Sequence, residues 1–263
     1  LHFGVREHAM GAIANGIALH GGLLPYTATF LTFADYMRPP MRLAALMGLR
    51  SVFVFTHDSI GVGEDGPTHQ PVEQIMNLRQ VPNMTVIRPA DANETLEAWR
   101  IAITNTQGPT TLIFSRQNLP VLDRSICNAA SGTKQGGYIL WESSPDPELI
   151  LIATGSEISL TLTAARKLAE NGIKVRVVSL PSWEIFDRQP REYRDSILPP
   201  AITARIAIEA GIKLGWEHYV GLNGKIIGME TFGASAPAPV LYEKFGITVE
   251  KILEAAQELL HQA

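Results

Sequence analysis

The sequence predicts an α/β fold of two consecutive domains, each a mostly parallel sheet flanked by helices. Three observations carry this expectation. Short apolar runs without alternation recur, as in SVFVF at 51–55 and LILIAT at 149–154, which is how strands buried on both faces read. Stretches with helical apolar spacing fall between them, and strand–helix alternation implies parallel pairing with helices on the sheet faces. The pattern lapses over PVLDRSICNAASGTKQGG, 120–137, and then restarts. The expected boundaries are therefore 1–119, a linker at 120–136, and 137–263.

The elements follow in order. EHAMGAIANGIALH, 7–20, places Met10, Ile13, Ala14 and Ile17 at helical spacing and stops at Gly21-Gly22. An extended LLPYTATF leads into a helix over about 33–49, then the strand SVFVF. A polar loop separates that strand from a helix near 71–80 and a strand MTVI at 84–87. Asp91 with Glu94 three places on is a capping-box pattern that opens the next helix. TTLIFS, 110–115, closes the first half. In the second half LILIAT precedes a helix starting near Ser156, KVRVVSL is at 174–180, IAIEAG at 206–211 and KIIGMETFG at 225–233. Val249, Ile252, Leu253, Ala256 and Leu259 share one face of a final helix. No repeat of fixed period is visible.

Composition narrows the class. The 263 residues are 46% apolar and 18% charged, an ordinary globular balance. Net charge is −4, from 26 acids and 22 bases, with no basic run, which argues against nucleic acid as a partner. No stretch approaches a bilayer span, so no membrane partner is expected. The single cysteine, Cys127, excludes an internal disulfide and fits a reducing compartment. The expected location is cytoplasmic, or the plastid stroma for a plant source. The chain opens on Leu1, already close to motif-like sequence, which makes a fragment of a longer protein the expectation.

The densest chemistry lies in THDSIGVGEDGPTHQP, 56–71, with two histidines, three acids and three glycines directly after a buried strand. A phosphate loop fits poorly, because neither a helix nor a Lys-Ser/Thr pair follows the glycines. A metal site on mixed imidazole and carboxylate, a solvated polar loop, and convergent hydrogen-bond donors for a polyhydroxylated or anionic ligand all fit the residues; the last is favoured. Glu7, in a first helical turn, is favoured there by the macrodipole without any function. Phe30, Phe33 and Tyr36 recur every three residues, as on one packed face of a helix. Arg116, just after a strand, is either paired with an acid or a clamp for carboxylate or phosphate. His218 and Cys127 are assigned no role.

Four stretches in this order, GVREHAMGAIANG (4–16), TFLTFADY (29–36), THDSIGVGEDGPTHQP (56–71) and SRQNLP (115–120), closely resemble transketolase. LIATGSE (151–157) and ETFGASAPAPVLYEKFG (230–246) extend the resemblance over essentially the whole chain. It implies a transferase that uses thiamine diphosphate to move a two-carbon ketol unit from a ketose phosphate to an aldose phosphate, as in the pentose phosphate pathway or the Calvin cycle. Glu7 matches the acid that shares a proton with the cofactor's aminopyrimidine and activates it. Phe30, Phe33 and Tyr36 match the aromatic pocket of that ring. Asp65 and His69 match contacts to the hydroxyls of the donor and intermediate, His69 acting in catalysis, and His57 and Arg116 match contacts to the sugar phosphate.

The G-D-G motif followed by Asn, by which the family holds magnesium and diphosphate, is missing. Glu64-Asp65-Gly66 with Asn93 is a decoy. The resemblance thus implies most of a pyrimidine-binding domain plus a C-terminal domain, whose partner is the diphosphate-binding domain of a second subunit in a homodimer. The isolated chain is expected to be inactive. A non-catalytic half of a split thiamine-diphosphate enzyme, or a relative such as dihydroxyacetone synthase, is the alternative.

Overall fold

The structure is a computed structural model and describes residues 1–261. The first half builds α1 (Glu7–His20), β1 (Tyr26–Phe30), α2 (Ala34–Leu46), β2 (Val52–Thr56), α3 (Gln74–Arg79), β3 (Thr85–Ile87), α4 (Ala92–Thr104) and β4 (Thr110–Ile113). Its four strands pair in the order β1-β2-β4-β3, every pair parallel. The second half builds β5 (Tyr138–Glu142), β6 (Leu149–Ala153), α5 (Glu157–Glu170), β7 (Val175–Ser179), α6 (Trp183–Asp187), α7 (Arg191–Ile197), β8 (Arg205–Ile212), α8 (Glu217–Val220), β9 (Lys225–Met229), α9 (Ala238–Lys244) and α10 (Val249–Leu260). Its sheet runs β5-β7-β6-β8-β9, parallel except for the antiparallel edge pair β5·β7. The α/β class with mostly parallel sheets is therefore as the sequence predicts.

The strands that read as unalternating apolar runs are buried on both faces. All five residues of β6 are inaccessible, and Phe53 and Phe55 of β2 lie in the first core with Leu31, Met37 and Met41. The Asp91 cap forms, its carboxylate accepting from the Glu94 amide at 2.8 Å. The other half of the box differs from the sequence pattern: the Glu94 side chain accepts from the amide of Ala90, at 2.8 Å. Tyr138 and Ser179 also donate to it, so this carboxyl ties α4 to the second sheet.

Two expectations are corrected. The helix over 33–49 is shorter, ending at Leu46, and is preceded by a single 3-10 turn at Leu31–Phe33. The aromatic triplet therefore straddles a strand end, that turn and the first turn of α2 instead of lying on one helix face. The segment 120–136, expected as a linker, runs largely along the surface and is pinned at a few points. Arg124 grips Asp91 through both carboxylate oxygens at 2.9 Å, Cys127 is buried, and residues 130–135 form 3-10 turns. The short helices α6 to α9 and the edge strand β5 were not read from the sequence; all are too short to show periodicity.

Between the sheets two arginines of the first half enter the second. Arg88, wholly buried after β3, sends its Nε to Asp58 at 2.9 Å and its NH1 to the hydroxyl and carbonyl of Thr154, at 2.9 and 3.1 Å, and to Glu157. Arg79 forms a two-point pair with Glu209, at 2.7 and 2.8 Å, and lies 4.0 Å from the Trp183 ring. Gly155, at φ 53, lets Arg88 in: a Cβ there would stand 2.6 Å from the guanidinium carbon.

Candidate functional site

One residue from each strand of the first sheet marks its carboxyl edge, the side on which parallel sheets bind ligands. Phe30 ends β1, His57 follows β2, Arg88 follows β3, and Arg116 lies just beyond β4. Phe30 is paired in register with Thr56, which brings the first two of these together. The Phe30 ring stacks on the His57 imidazole, with centroids 3.6 Å apart and planes 17° from parallel. Phe33 stacks on Phe30 at 6.1 Å, tilts against Tyr36 at 6.0 Å, and meets His69 edge-on at 5.7 Å. Five of the eight residues singled out in the sequence thus form one continuous run of rings. The Tyr36 ring stays largely exposed, with an accessibility of 62%.

The loop 56–71 is not a solvated turn. Asp58, Ser59, Ile60, Gly61, Val62 and Gln70 are buried, whereas Glu64 and Asp65 are exposed. His57 has a backbone φ of 60, a left-handed conformation that costs a non-glycine residue about 1 kcal/mol or more. Its Nδ1 lies 2.9 Å from the Thr56 hydroxyl. Burial lowers its pKa below the ordinary imidazole value; the neighbouring Arg116 charge lowers it further, and Asp65 and Asp58 oppose both. His57, Arg116 and Asp65 therefore share one electrostatic neighbourhood, in which neutral imidazole is favoured. The His69 Nδ1 lies 2.9 Å from the Thr68 hydroxyl.

Glu7 is buried in the first turn of α1, and no ring contact joins it to the aromatic run. It reaches that region through its helix. Gly11, one turn on, packs so closely on Met37 and Pro40 of α2 that a Cβ would stand 2.9 Å from each, and Asn15 donates to the Pro40 carbonyl at 2.7 Å. Among the described residues no group of three or more His, Cys, Asp or Glu is arranged to hold a metal ion, and no helix is long and apolar enough to cross a membrane.

Sequence reasoning missed the buried polar residues behind the loop. Asp58 is weighed there only among the loop acids of a metal or polar-ligand reading, and Ser59, Arg88, Glu157, Glu209 and Tyr242 carry no individual role. The available signal was a charged residue directly after an apolar strand in MTVIR and inside one in IAIEA, because a charge in such a place has to be paired.

Fold and site define an α/β protein of two mostly parallel sheets with an aromatic, ligand-facing carboxyl edge on the first. Residues 1–121 match the family described as transketolase, pyrimidine binding domain, and residues 136–248 match the transketolase-like C-terminal domain. The chain is 53% identical to a transketolase of Staphylococcus epidermidis over 98% of its length, and 56% identical to transketolase 1 of Escherichia coli over 99%. In each case it spans 39% of the relative. The solved transketolase of Leishmania mexicana superposes with a TM-score of 0.93 at 47% identity, covering 99% of this chain and 38% of that one. The chain belongs to the transketolase family. A chain titled a split-gene transketolase, an inactive β4 tetramer, shares the fold, with a TM-score of 0.80 at 24% identity over 98% of this chain and 83% of that one.

Proposed function

We propose that this chain supplies the pyrimidine-side wall and the sugar-binding loop of a transketolase that transfers a two-carbon ketol unit from a ketose phosphate to an aldose phosphate. The observation that carries the reading is the ring run from His57 through Phe30, Phe33 and Tyr36 at the carboxyl edge of the first sheet, with His69 set edge-on against it. Exposed ring surface at Tyr36 and a buried carboxyl at Glu7 fit a flat, basic heterocycle such as the aminopyrimidine of thiamine diphosphate.

When bound, that cofactor supplies the electron sink for carbon–carbon cleavage. Phe30, Phe33 and Tyr36 hold the heterocycle and keep water from it. Glu7 would hold a proton at a nitrogen of that ring. His69 and Asp65 orient the donor's hydroxyls, His69 also moving a proton on the reacting fragment. His57 and Arg116 hold the sugar phosphate, arginine giving a two-point grip. The residues present do not fit the magnesium ion, which falls to the diphosphate-binding domain of a partner subunit in a homodimer. A cytoplasmic location, or the plastid stroma in a plant, belongs to the same reading, in keeping with the single cysteine.

Coupled assay of ketol transfer tests this. The 263-residue chain alone is expected to show no turnover, and addition of the diphosphate-binding portion with thiamine diphosphate and magnesium is expected to restore it, except with Glu7→Ala. Turnover by the chain alone, or near-normal turnover with Glu7→Ala, overturns the reading. Failure of any such addition to restore turnover would favour a non-catalytic assembly half.

A further inference from the structure

The three loop residues read as sugar contacts share one arrangement: Asp65 and His69 each stand beside a residue that the second half of the chain contacts directly, and His57 stands beside one that the second half holds through Arg88. His57 precedes Asp58, whose Oδ2 accepts from Arg88 Nε at 2.9 Å. Arg88 is in turn held by Thr154, by Ser156 at 3.2 Å and by Glu157. Asp65 follows Glu64, whose carbonyl accepts from the Ser235 hydroxyl. His69 precedes Gln70, whose amide donates to the carbonyls of Gly63 at 2.7 Å and Ala234 at 2.9 Å. The hydroxyl of Tyr242 joins the first of these anchors from behind. It donates to Glu157 Oε1 at 3.0 Å and lies 3.4 Å from both Ser59 and Ser156. Ser59 in turn donates to Asp58 at 3.1 Å and accepts from the Gly61 amide at 3.2 Å.

We propose that the second half of the chain, which lends no ring to the site, is the positioning scaffold of the loop, and that Tyr242 and Ser59 are positioning residues that fix His57 for a substrate phosphate. The proposal rests on the sugar-phosphate reading given above. Its physical basis is the backbone of His57. A left-handed non-glycine residue persists only where its surroundings over-determine it, and here they do. Thr56 ends β2 in register with Phe30, and Asp58, itself 2% exposed, is locked into a largely buried cluster. Burial also pushes the Tyr242 hydroxyl well above its ordinary pKa, so it stays a donor and its bonds do not fade with pH. Removing one hydroxyl from this cluster leaves every charge paired and frees Asp58 to shift, and the adjoining imidazole shifts with it.

The test uses the complete enzyme, this chain together with the diphosphate-binding portion. It compares kcat and KM for a ketose phosphate with those for the same ketose lacking phosphate. His57→Ala is the reference, expected to raise KM tenfold or more for the phosphorylated sugar only. Tyr242→Phe and Ser59→Ala are each expected to raise that same KM three- to tenfold, to leave kcat within twofold and KM for the unphosphorylated sugar unchanged, and to add nothing in a His57→Ala background. An equal effect on both sugars, additivity with His57→Ala, or no effect of either variant overturns the positioning role. If His57→Ala itself shows no preference for the phosphorylated sugar, the phosphate reading fails and the positioning proposal with it, an outcome distinct from a selective His57→Ala beside silent Tyr242→Phe and Ser59→Ala. Should one hydroxyl variant fail to fold, the other carries the same comparison.

Discussion

Replacing Arg88 with methionine is expected to lower the chain's unfolding free energy by about 5 kcal/mol, the upper end of what removing one partner of a buried ion pair costs. The upper end applies because one guanidinium serves two carboxylates, Asp58 at 2.8 Å and Glu157, both with side chains at most 2% exposed. The cost stays below the sum of two such losses because an abandoned carboxyl can take up a proton. The assay is denaturant unfolding followed by tryptophan fluorescence; with a urea slope of roughly 3 kcal/mol per M, the midpoint should fall by about 1.5–2 M. The pH dependence has a defined sign. In Arg88→Met the orphaned carboxyls have raised folded-state pKa values, so the folded state binds more protons than the unfolded chain and the variant loses stability as pH rises. The deficit should therefore be smaller at pH 5 than at pH 8. The control, Arg191→Ala, removes an exposed i,i+4 pair with Asp195 and should cost less than about 0.5 kcal/mol. A deficit in Arg88→Met no larger than the control's, or one that grows on acidification, refutes the reasoning.

Two further outcomes follow from the titrating groups. Burial and the Arg116 charge depress the pKa of His57, so it is neutral at and above neutral pH; lowering the pH through the region below about 6.5 should lower KM for a ketose phosphate, and His57→Gln should flatten that profile. Burial alone would raise the pKa of Glu209, but the Arg79 charge and hydrogen bonds, with Arg88 and Thr154, bring it down to about 2. Its contribution is full above the unfolded value and lost as pH falls from about 4.5 to about 2, so acid unfolding curves of Glu209→Gln should lack the slope the parent chain shows there.

How much was legible in the sequence depended on whether the signal was local. The unalternating runs VFVFT and LILIA announced buried parallel strands because nothing but burial on both faces tolerates them. Asp91 announced a helix start because capping is settled within four residues. The rings of Phe30, Phe33 and Tyr36 do lie against one another, but not on the single helix face their spacing suggests, since a period of three does not distinguish a helix face from a chain turning out of a strand. The Arg88 cluster was invisible because its members lie 30 to 69 positions apart from Arg88 in the chain, and only the docking of two sheets brings them together. The segment 120–136 reads as a linker from composition, and the Arg124–Asp91 pair that pins it is also a long-range contact.

The crevice between the carboxyl ends of β6 and β8, where the second sheet's strand order reverses, is the place where open α/β sheets take their ligands. Arg88 fills it, with Thr154, Ser156 and Glu157 as its cradle. The second half of the chain thus behaves as a receptor whose ligand is a side chain of the first half, delivered at the high effective concentration that a short covalent tether provides. Such a ligand cannot diffuse away, so the receptor stays saturated for as long as the chain is folded, and a small cation could enter only by prising the two sheets apart.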